Sequence, residues 1–140
     1  MNQPNFIGNK IIADLVERYG GDDREEQQKQ LSIFAELLFR WSKSLSLISP
    51  GDRPILVEKH IVPALDQLHM LDLVKHQCIM DFGSGAGLPG IPLKIFMPES
   101  DFILVESRRR RANYLKEVIR RLGLQRIRVV NRRLEEINPE

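Results

Sequence analysis

The chain has 140 residues, 42% of them hydrophobic, and a formal net charge of +2, which suits one compact domain with a real core. No run approaches the roughly 18 apolar residues of a membrane span, and Met1-Asn2-Gln3-Pro4-Asn5 has neither a basic region nor an apolar signal core, so no membrane is expected and the reading is cytoplasmic. The single Cys78 excludes an intramolecular disulfide and is expected to be a buried packing residue, with no redox or zinc site and no metal.

In chain order, Ile7, Ile11, Leu15 and Tyr19 recur every four positions and predict a first helix over Asn5 to Tyr19, stopped by Gly20 and Gly21. Asp22 and Asp23 can cap a longer second helix with Leu31, Phe34, Leu37, Leu38, Trp41 and Leu45 on its buried stripe. Trp41 is accordingly read as core. Ser49-Pro50-Gly51-Asp52 is a turn, and a third helix is predicted from Pro54 through Ile61, Leu65 and Leu68, kinked or broken at Pro63. Residues 1–75 thus read as an N-terminal helical region.

The pattern changes at Gln77. Cys78-Ile79-Met80 is a short apolar run ending in a loop with four glycines among eight residues, 83 to 90. A short helix from Leu88 to Met97, a strand from Phe102 to Val105, a long helix capped by Ser107 and ended by Gly123, and a strand from Ile127 to Val130 follow. Ala112, Leu115, Val118, Ile119 and Leu122 form that long helix's inner face. Strand, helix, strand, helix, strand is a parallel α/β unit, and right-handed crossovers put the first strand's C-terminal end beside a ligand crevice. The fold class is therefore α/β, with a Rossmann-like half-sheet of three strands over residues 76–140.

Glycines at alternate positions in Asp81-Phe82-Gly83-Ser84-Gly85-Ala86-Gly87 leave no side chain between backbone and ligand. Twenty-one residues beyond Gly85, at the end of the second strand, Glu106 occupies the place of a ribose-binding carboxylate. Asp81, Gly83, Ser84, Gly85, Gly87 and Glu106 are the candidate contacts to an adenosine-containing cofactor. Gly85-x-Gly87-x-x-Gly90 also satisfies the NAD fingerprint. Asp81 argues against NAD, because a carboxylate there suits the sulfonium and amino group of S-adenosylmethionine better than a pyrophosphate.

The stretch Met80-Asp-Phe-Gly-Ser-Gly-Ala-Gly-Leu-Pro-Gly-Ile-Pro-Leu93 resembles the cofactor loop of the bacterial small-subunit ribosomal RNA guanine-N7 methyltransferases, the glucose-inhibited division protein B family of class I methyltransferases. Leu88-Pro89-Gly90-Ile91-Pro92 is its specific part. The similarity continues through Val105-Glu-Ser-Arg-Arg-Arg-Arg-Ala-Asn-Tyr-Leu115 and Arg132-Arg-Leu-Glu-Glu136, and more loosely through Leu38-Phe-Arg-Trp41, Leu45-Ser-Leu47 and Lys59-His-Ile61. It implies that Gly83 and Leu88 contact S-adenosylmethionine, that Glu106 binds its ribose, and that Leu134 and Glu135 lie beside its adenine. It also sets Lys59 and His60 on the family's substrate-side Arg-His pair, with Lys replacing Arg. Val62-Pro63-Ala64-Leu65 departs from the family's usual Asp-Ser-Leu after His-Ile.

The implied reaction is methylation of guanine N7 in small-subunit ribosomal RNA, with the RNA or the small ribosomal subunit as partner. N7 carries an unprotonated lone pair, so the chemistry is positional and no catalytic acid or base is named. Residues 102–140 hold 11 basic and 5 acidic side chains, ten of the basic ones Arg, and Arg108, Arg109, Arg110 and Arg111 open a helix whose dipole disfavours them. Pairing with nearby carboxylates, Glu106 among them, is one reason; the other, favoured for the patch as a whole, is RNA phosphate, with Arg120, Arg121, Arg126, Arg128, Arg132 and Arg133 extending it. Family members are longer, and the class I sheet sets its first strand centrally, so an open apolar edge on that strand is expected. That edge predicts a fragment of a longer protein, the favoured reading, or completion through self-association. The competing functional readings are a non-catalytic RNA- or ribosome-binding module retaining the loop, and an NAD-dependent enzyme.

Overall fold

A computed structural model describes residues 4–70 and 77–137. The elements are helices α1 (Pro4–Tyr19) and α2 (Arg24–Leu45), an irregular helical stretch, α3 (Val62–Met70), strand β1 (Cys78–Phe82), α4 (Gly90–Phe96), β2 (Asp101–Val105), α5 (Arg109–Leu122) and β3 (Ile127–Val130). The expected boundary between helical and α/β regions, at 75–76, lies outside the described residues.

Asp23 caps α2 by accepting from the Glu26 N–H at 3.2 Å, where capping side chains satisfy orphan donors. Its stripe buries Leu31, Phe34, Leu37, Leu38 and Leu45, with Trp41 half-buried. Ile7 lies outside the described side chains of α1; among those described, Ile12, Leu15 and Val16 are buried, whereas Ile11 and Tyr19 are partly exposed. Two adjacent helical rows face inward there, because α1 packs against α2 and the stretch after Pro50 together.

The third helix departs most from expectation. Pro50–Ile55 is a 3-10 turn and Val57–Ile61 a π turn in which the Val62 N–H reaches back to the Val57 carbonyl. Pro63, in the first turn of α3, has no N–H and its ring would crowd the carbonyl four residues earlier, so the chain widens before it.

The sheet is parallel, in the order β1-β2-β3, with Cys78 opposite Asp101 and Phe102 opposite Ile127. Strand side chains alternate faces. One face carries Phe102 and Leu104 and is buried, with α4 packing on β2 and α5 on β3. The other is open: Met80 and Phe82 are 42% and 47% exposed. Cys78 is exposed too, correcting the expectation of a buried thiol. Its strand is terminal among the described residues, so no neighbour covers it. The expected open edge on β1 is present.

One hydrophobic cluster joins the two regions, with Phe34 and Leu38 of α2 beside Tyr114, Leu115 and Val118 of α5. Polar ties run the same way. The buried Gln27 side chain donates to the Ile95 carbonyl and accepts from the Gly21 N–H, and Gln30 donates to Leu122 O at the end of α5. Lys94, 1% exposed, donates to Pro98 O at 3.0 Å and Ser100 O at 2.6 Å, holding the turn into β2. Burial, reinforced by nearby Arg126, lowers its pKa.

A close junction lies at Gly87, whose φ is +87°. A Cβ there would lie 2.9 Å from Ile91 Cγ1, 3.2 Å from Leu115 Cδ2 and 3.4 Å from Phe34 Cε1. Gly87→Ala is expected to cost about 2–4 kcal/mol, combining left-handed backbone strain with overpacking. Gly51→Ala, where nothing lies within 4 Å of the added carbon, should be within about 1 kcal/mol of wild type. Urea unfolding of the two variants measures both.

Candidate cofactor site

The glycine loop begins as a continuation of the sheet, with the Gly83 and Ser84 N–H groups donating to Val105 O at 2.8 and 3.2 Å. It then folds on itself, as Gly87 N–H donates to Ser84 O at 2.7 Å and Ile91 N–H to Gly87 O at 2.8 Å. The Ser84 hydroxyl donates to Asp81 O at 3.0 Å. Gly83 has φ +70° and nothing within 4 Å of where a Cβ would stand, so its backbone is bare toward open space and a ligand can lie on it. That observation fits a bound cofactor.

Glu106 is 4% exposed. Its Oε1 accepts from Gly85 N–H at 2.9 Å and its Oε2 from Arg108 N–H at 2.7 Å. One carboxylate therefore ties the loop, the end of β2 and the start of α5 together. Ser107 makes no cap: the residue before α5 is Arg108, whose N–H goes to Glu106, and no side-chain cap bond is present. A carboxylate accepts about four hydrogen bonds, so two positions remain for ribose hydroxyls. Asn131, a residue that sequence reasoning overlooked, donates from Nδ2 to Glu106 O at 2.9 Å and Ser107 O at 3.0 Å. It anchors the backbone that carries the carboxylate.

Asp81 sits on the covered face of β1 and its Oδ2 accepts from Gly90 N–H at 3.0 Å. Burial raises its pKa above the ordinary 3.8, partly offset by that bond. The group read as facing a cationic ligand thus also closes the loop onto α4, a use invisible in the sequence because it spans nine residues of folded backbone.

Leu134 and Glu135 lie on a short turn after β3 and, with Ser107, Arg108 and Arg133, line a concavity of about 380 Å3 beside the Glu106 turn. The structure thus brings Arg108 to Leu134 and Glu135. Leu134 is 60% exposed. Leu88, half-buried, packs against the core below the loop.

The candidate RNA residues divide. Arg108, Arg109 and Arg110 are exposed, while Arg111 is half-buried with Nη1 3.9 Å from the Cβ position of Gly85. Arg120 pairs with Glu117 and Arg126 with Asp101, so those two cations have carboxylates beside them before any phosphate arrives. Lys59 is exposed on the π turn, and His60 Nε2 lies 3.0 Å from Asp52 Oδ2. The bond His60 makes is within the helical region, not to the loop. Among the described residues no three His, Cys, Asp or Glu side chains could hold a metal, and no helix is long and apolar enough to cross a membrane.

Comparison with known proteins gives the family. The family model for GidB, rRNA small subunit methyltransferase G, matches residues 27–140. Ribosomal RNA small subunit methyltransferase G of Vibrio campbellii is 38% identical over 129 residues, covering 92% of this chain and 60% of that protein. The protein of the same name from Marinobacter nauticus is 35% identical, covering 83% of this chain and 53% of its own length. The chain thus spans between half and two thirds of these relatives.

Two solved structures share the fold. A protein-L-isoaspartate O-methyltransferase matches with TM-score 0.56 at 15% identity, over 89% of this chain and 42% of that one. A putative protein-L-isoaspartate O-methyltransferase from Plasmodium falciparum, solved with S-adenosyl-L-homocysteine, matches with TM-score 0.51 at 16% identity, over 93% and 65%. With a helical N-terminus leading into a Rossmann-like parallel sheet and a family model covering most of its length, this chain belongs to the GidB family of small-subunit rRNA methyltransferases.

Proposed function

We propose that this chain carries the cofactor half of an S-adenosylmethionine-dependent methyltransferase acting on guanine N7 of small-subunit ribosomal RNA in the cytoplasm. The observation that carries this reading is the joint geometry of a bare Gly83 backbone and the buried Glu106 carboxylate bonded across to Gly85. Residues 76–140 form the cofactor-binding part and residues 1–75 a helical region on the substrate side.

When bound, S-adenosylmethionine supplies a methyl group on a positively charged sulfur. Gly83, Ser84, Gly85, Gly87 and Leu88 shape the surface it lies on, Glu106 takes the ribose, and Leu134 and Glu135 flank the adenine. Asp81 favours the cationic end electrostatically. N7 is already a lone-pair nucleophile, so the residues need only hold two reactants in line, an effect worth several kcal/mol. Arg108 to Arg110 supply phosphate contacts near the adenine side, and Lys59 and His60 face the RNA from the helical region.

Calorimetric titration of the chain with S-adenosylhomocysteine and with NAD tests the cofactor class. Binding of the first and not the second is expected, and NAD binding alone would reject the proposal. Methyl transfer to assembled small subunits then separates an enzyme from a binding module that keeps the loop. The exposed Met80 and Phe82 on the terminal strand support self-association through the open side of the sheet, which concentration-dependent sedimentation would reveal.

Asp81→Asn keeps an acceptor for Gly90 but removes the charge. Its affinity for S-adenosylmethionine should fall more than its affinity for S-adenosylhomocysteine, which lacks the sulfonium; equal losses would mean that Asp81 acts only on the loop. The sign for stability follows from the raised pKa. Folding favours the protonated acid, so the wild type gains relative to the variant below the ordinary 3.8 and loses as pH climbs through the raised native value. Without ligand, the variant should therefore melt as high as wild type or higher at neutral pH, and the difference should shrink in acid.

Replacing Arg108, Arg109 and Arg110 together by Gln should flatten the salt dependence of RNA binding. The log–log slope is expected to drop by about 2–3, roughly one per lost phosphate contact. A slope equal to wild type would remove these residues from the interface.

A further inference from the structure

The inner face of α5 follows the glycine loop residue by residue. Arg111 approaches Gly85, Leu115 would touch a side chain on Gly87, and between them the Tyr114 hydroxyl donates to Ala86 O at 2.9 Å. Tyr114 is fully buried. On its other side, the ring of Trp41 from α2 lies 5.8 Å away, tilted by 57°. Burial pushes the phenol's pKa far up, so the group stays protonated and remains a donor. Because the peptide between Ala86 and Gly87 is planar, its two ends move together. Its carbonyl is held by Tyr114 and its N–H by Ser84 O at 2.7 Å.

We infer that Tyr114 is a positioning residue for the cofactor loop: its hydroxyl pins the Ala86–Gly87 peptide from behind, and Trp41 of the helical region backs the ring. This rests on the reading of the loop as a cofactor site. Tyr114 itself touches no ligand. Without the hydroxyl, the Ala86 carbonyl is buried with no donor, and a buried acceptor left unpaired drives the chain to another arrangement. The arrangement open to it is rotation of that peptide toward the crevice, which breaks the Gly87–Ser84 bond and roughens the surface beside Gly85. The helical region thereby acts on the site through packing, with no residue of its own in it.

Tyr114→Phe removes the hydroxyl and keeps the ring. Hydrogen exchange of the Gly87 amide should accelerate by about fivefold or more, while amides of β2 and β3 keep their wild-type rates, and S-adenosylhomocysteine affinity should fall by about five- to tenfold. Val118→Ala, one turn further along the same buried face, serves as the packing control. It should lower the melting temperature at least as much while leaving Gly87 exchange and affinity unchanged. Unchanged Gly87 exchange in Tyr114→Phe, unchanged affinity, or an equal response in Val118→Ala would each overturn the inference. If the wild-type chain binds no S-adenosylhomocysteine, the cofactor reading fails on its own, and Gly87 exchange alone decides whether Tyr114 holds the loop.

Discussion

The structure depends on how closely the loop between β1 and α4 can approach its surroundings. At Gly87 the backbone lies against Ile91, Leu115 and Phe34, and at Gly90 a side chain would stand 2.6 Å from both Asp81 Oδ2 and Leu104 Cδ2. Interiors are packed to crystal-like density, so a contact of this kind has no slack. Because no Cβ intervenes, the sheet, α4, α5 and α2 meet at one short segment. The hydrophobic cluster then becomes continuous from α1 to β3, and the N-terminal helices become part of the wall behind the site.

Charge follows the same economy. The two carboxylates near the loop, Glu106 buried and Asp81 half-buried, are both bonded to backbone N–H groups, Glu106 to Gly85 and Arg108 and Asp81 to Gly90. Backbone donors let an acid stay close to the surface a ligand would use without a cationic side chain in the way. Of the arginines, Arg111 comes up to this ring, its Nη1 3.9 Å from the Cβ position of Gly85. Arg126 pairs with Asp101 in an exposed bidentate contact, and Arg120 with Glu117; solvent screens such exposed pairs, so they contribute little. Arg108 to Arg110 remain exposed at the start of α5. An acidic, backbone-lined interior with a basic rim suits a cationic methyl donor inside and a polyanion outside.

Much of this was legible in the order of residues, because it rests on local rules. Helical spacing found α2 and α5, the change to short apolar runs found three strands, and the Gly83–Gly87 alternation with Glu106 twenty-one residues after Gly85 marked two segments that the structure joins through the Gly85–Glu106 hydrogen bond. The Asp23 cap and the Gly123 stop were equally readable, the latter adopting φ +66° as a helix end requires. What failed had non-local causes. The break at Pro63 was foreseen, but the 3-10 and π turns that precede it, over Pro50–Ile55 and Val57–Ile61, were not. Ser107 looked like a cap, but the carboxylate just before it, Glu106, accepts from the Arg108 N–H instead. Cys78 looked buried, because an apolar triplet does not reveal whether a strand has one neighbour or two.

By itself, then, the sequence determined the fold class and the family and marked the candidate cofactor loop, since each is encoded in spacing along the chain. Tertiary structure alone decided which groups meet. It turned Asp81 toward Gly90, placed Asn131 beneath Glu106, joined His60 to Asp52, and aimed the Tyr114 hydroxyl at Ala86. The physical reason is that a hydrogen bond depends on direction and on a few tenths of an ångström. Residues 28 apart, such as Ala86 and Tyr114, acquire that geometry only when the helices and the sheet have closed around the loop.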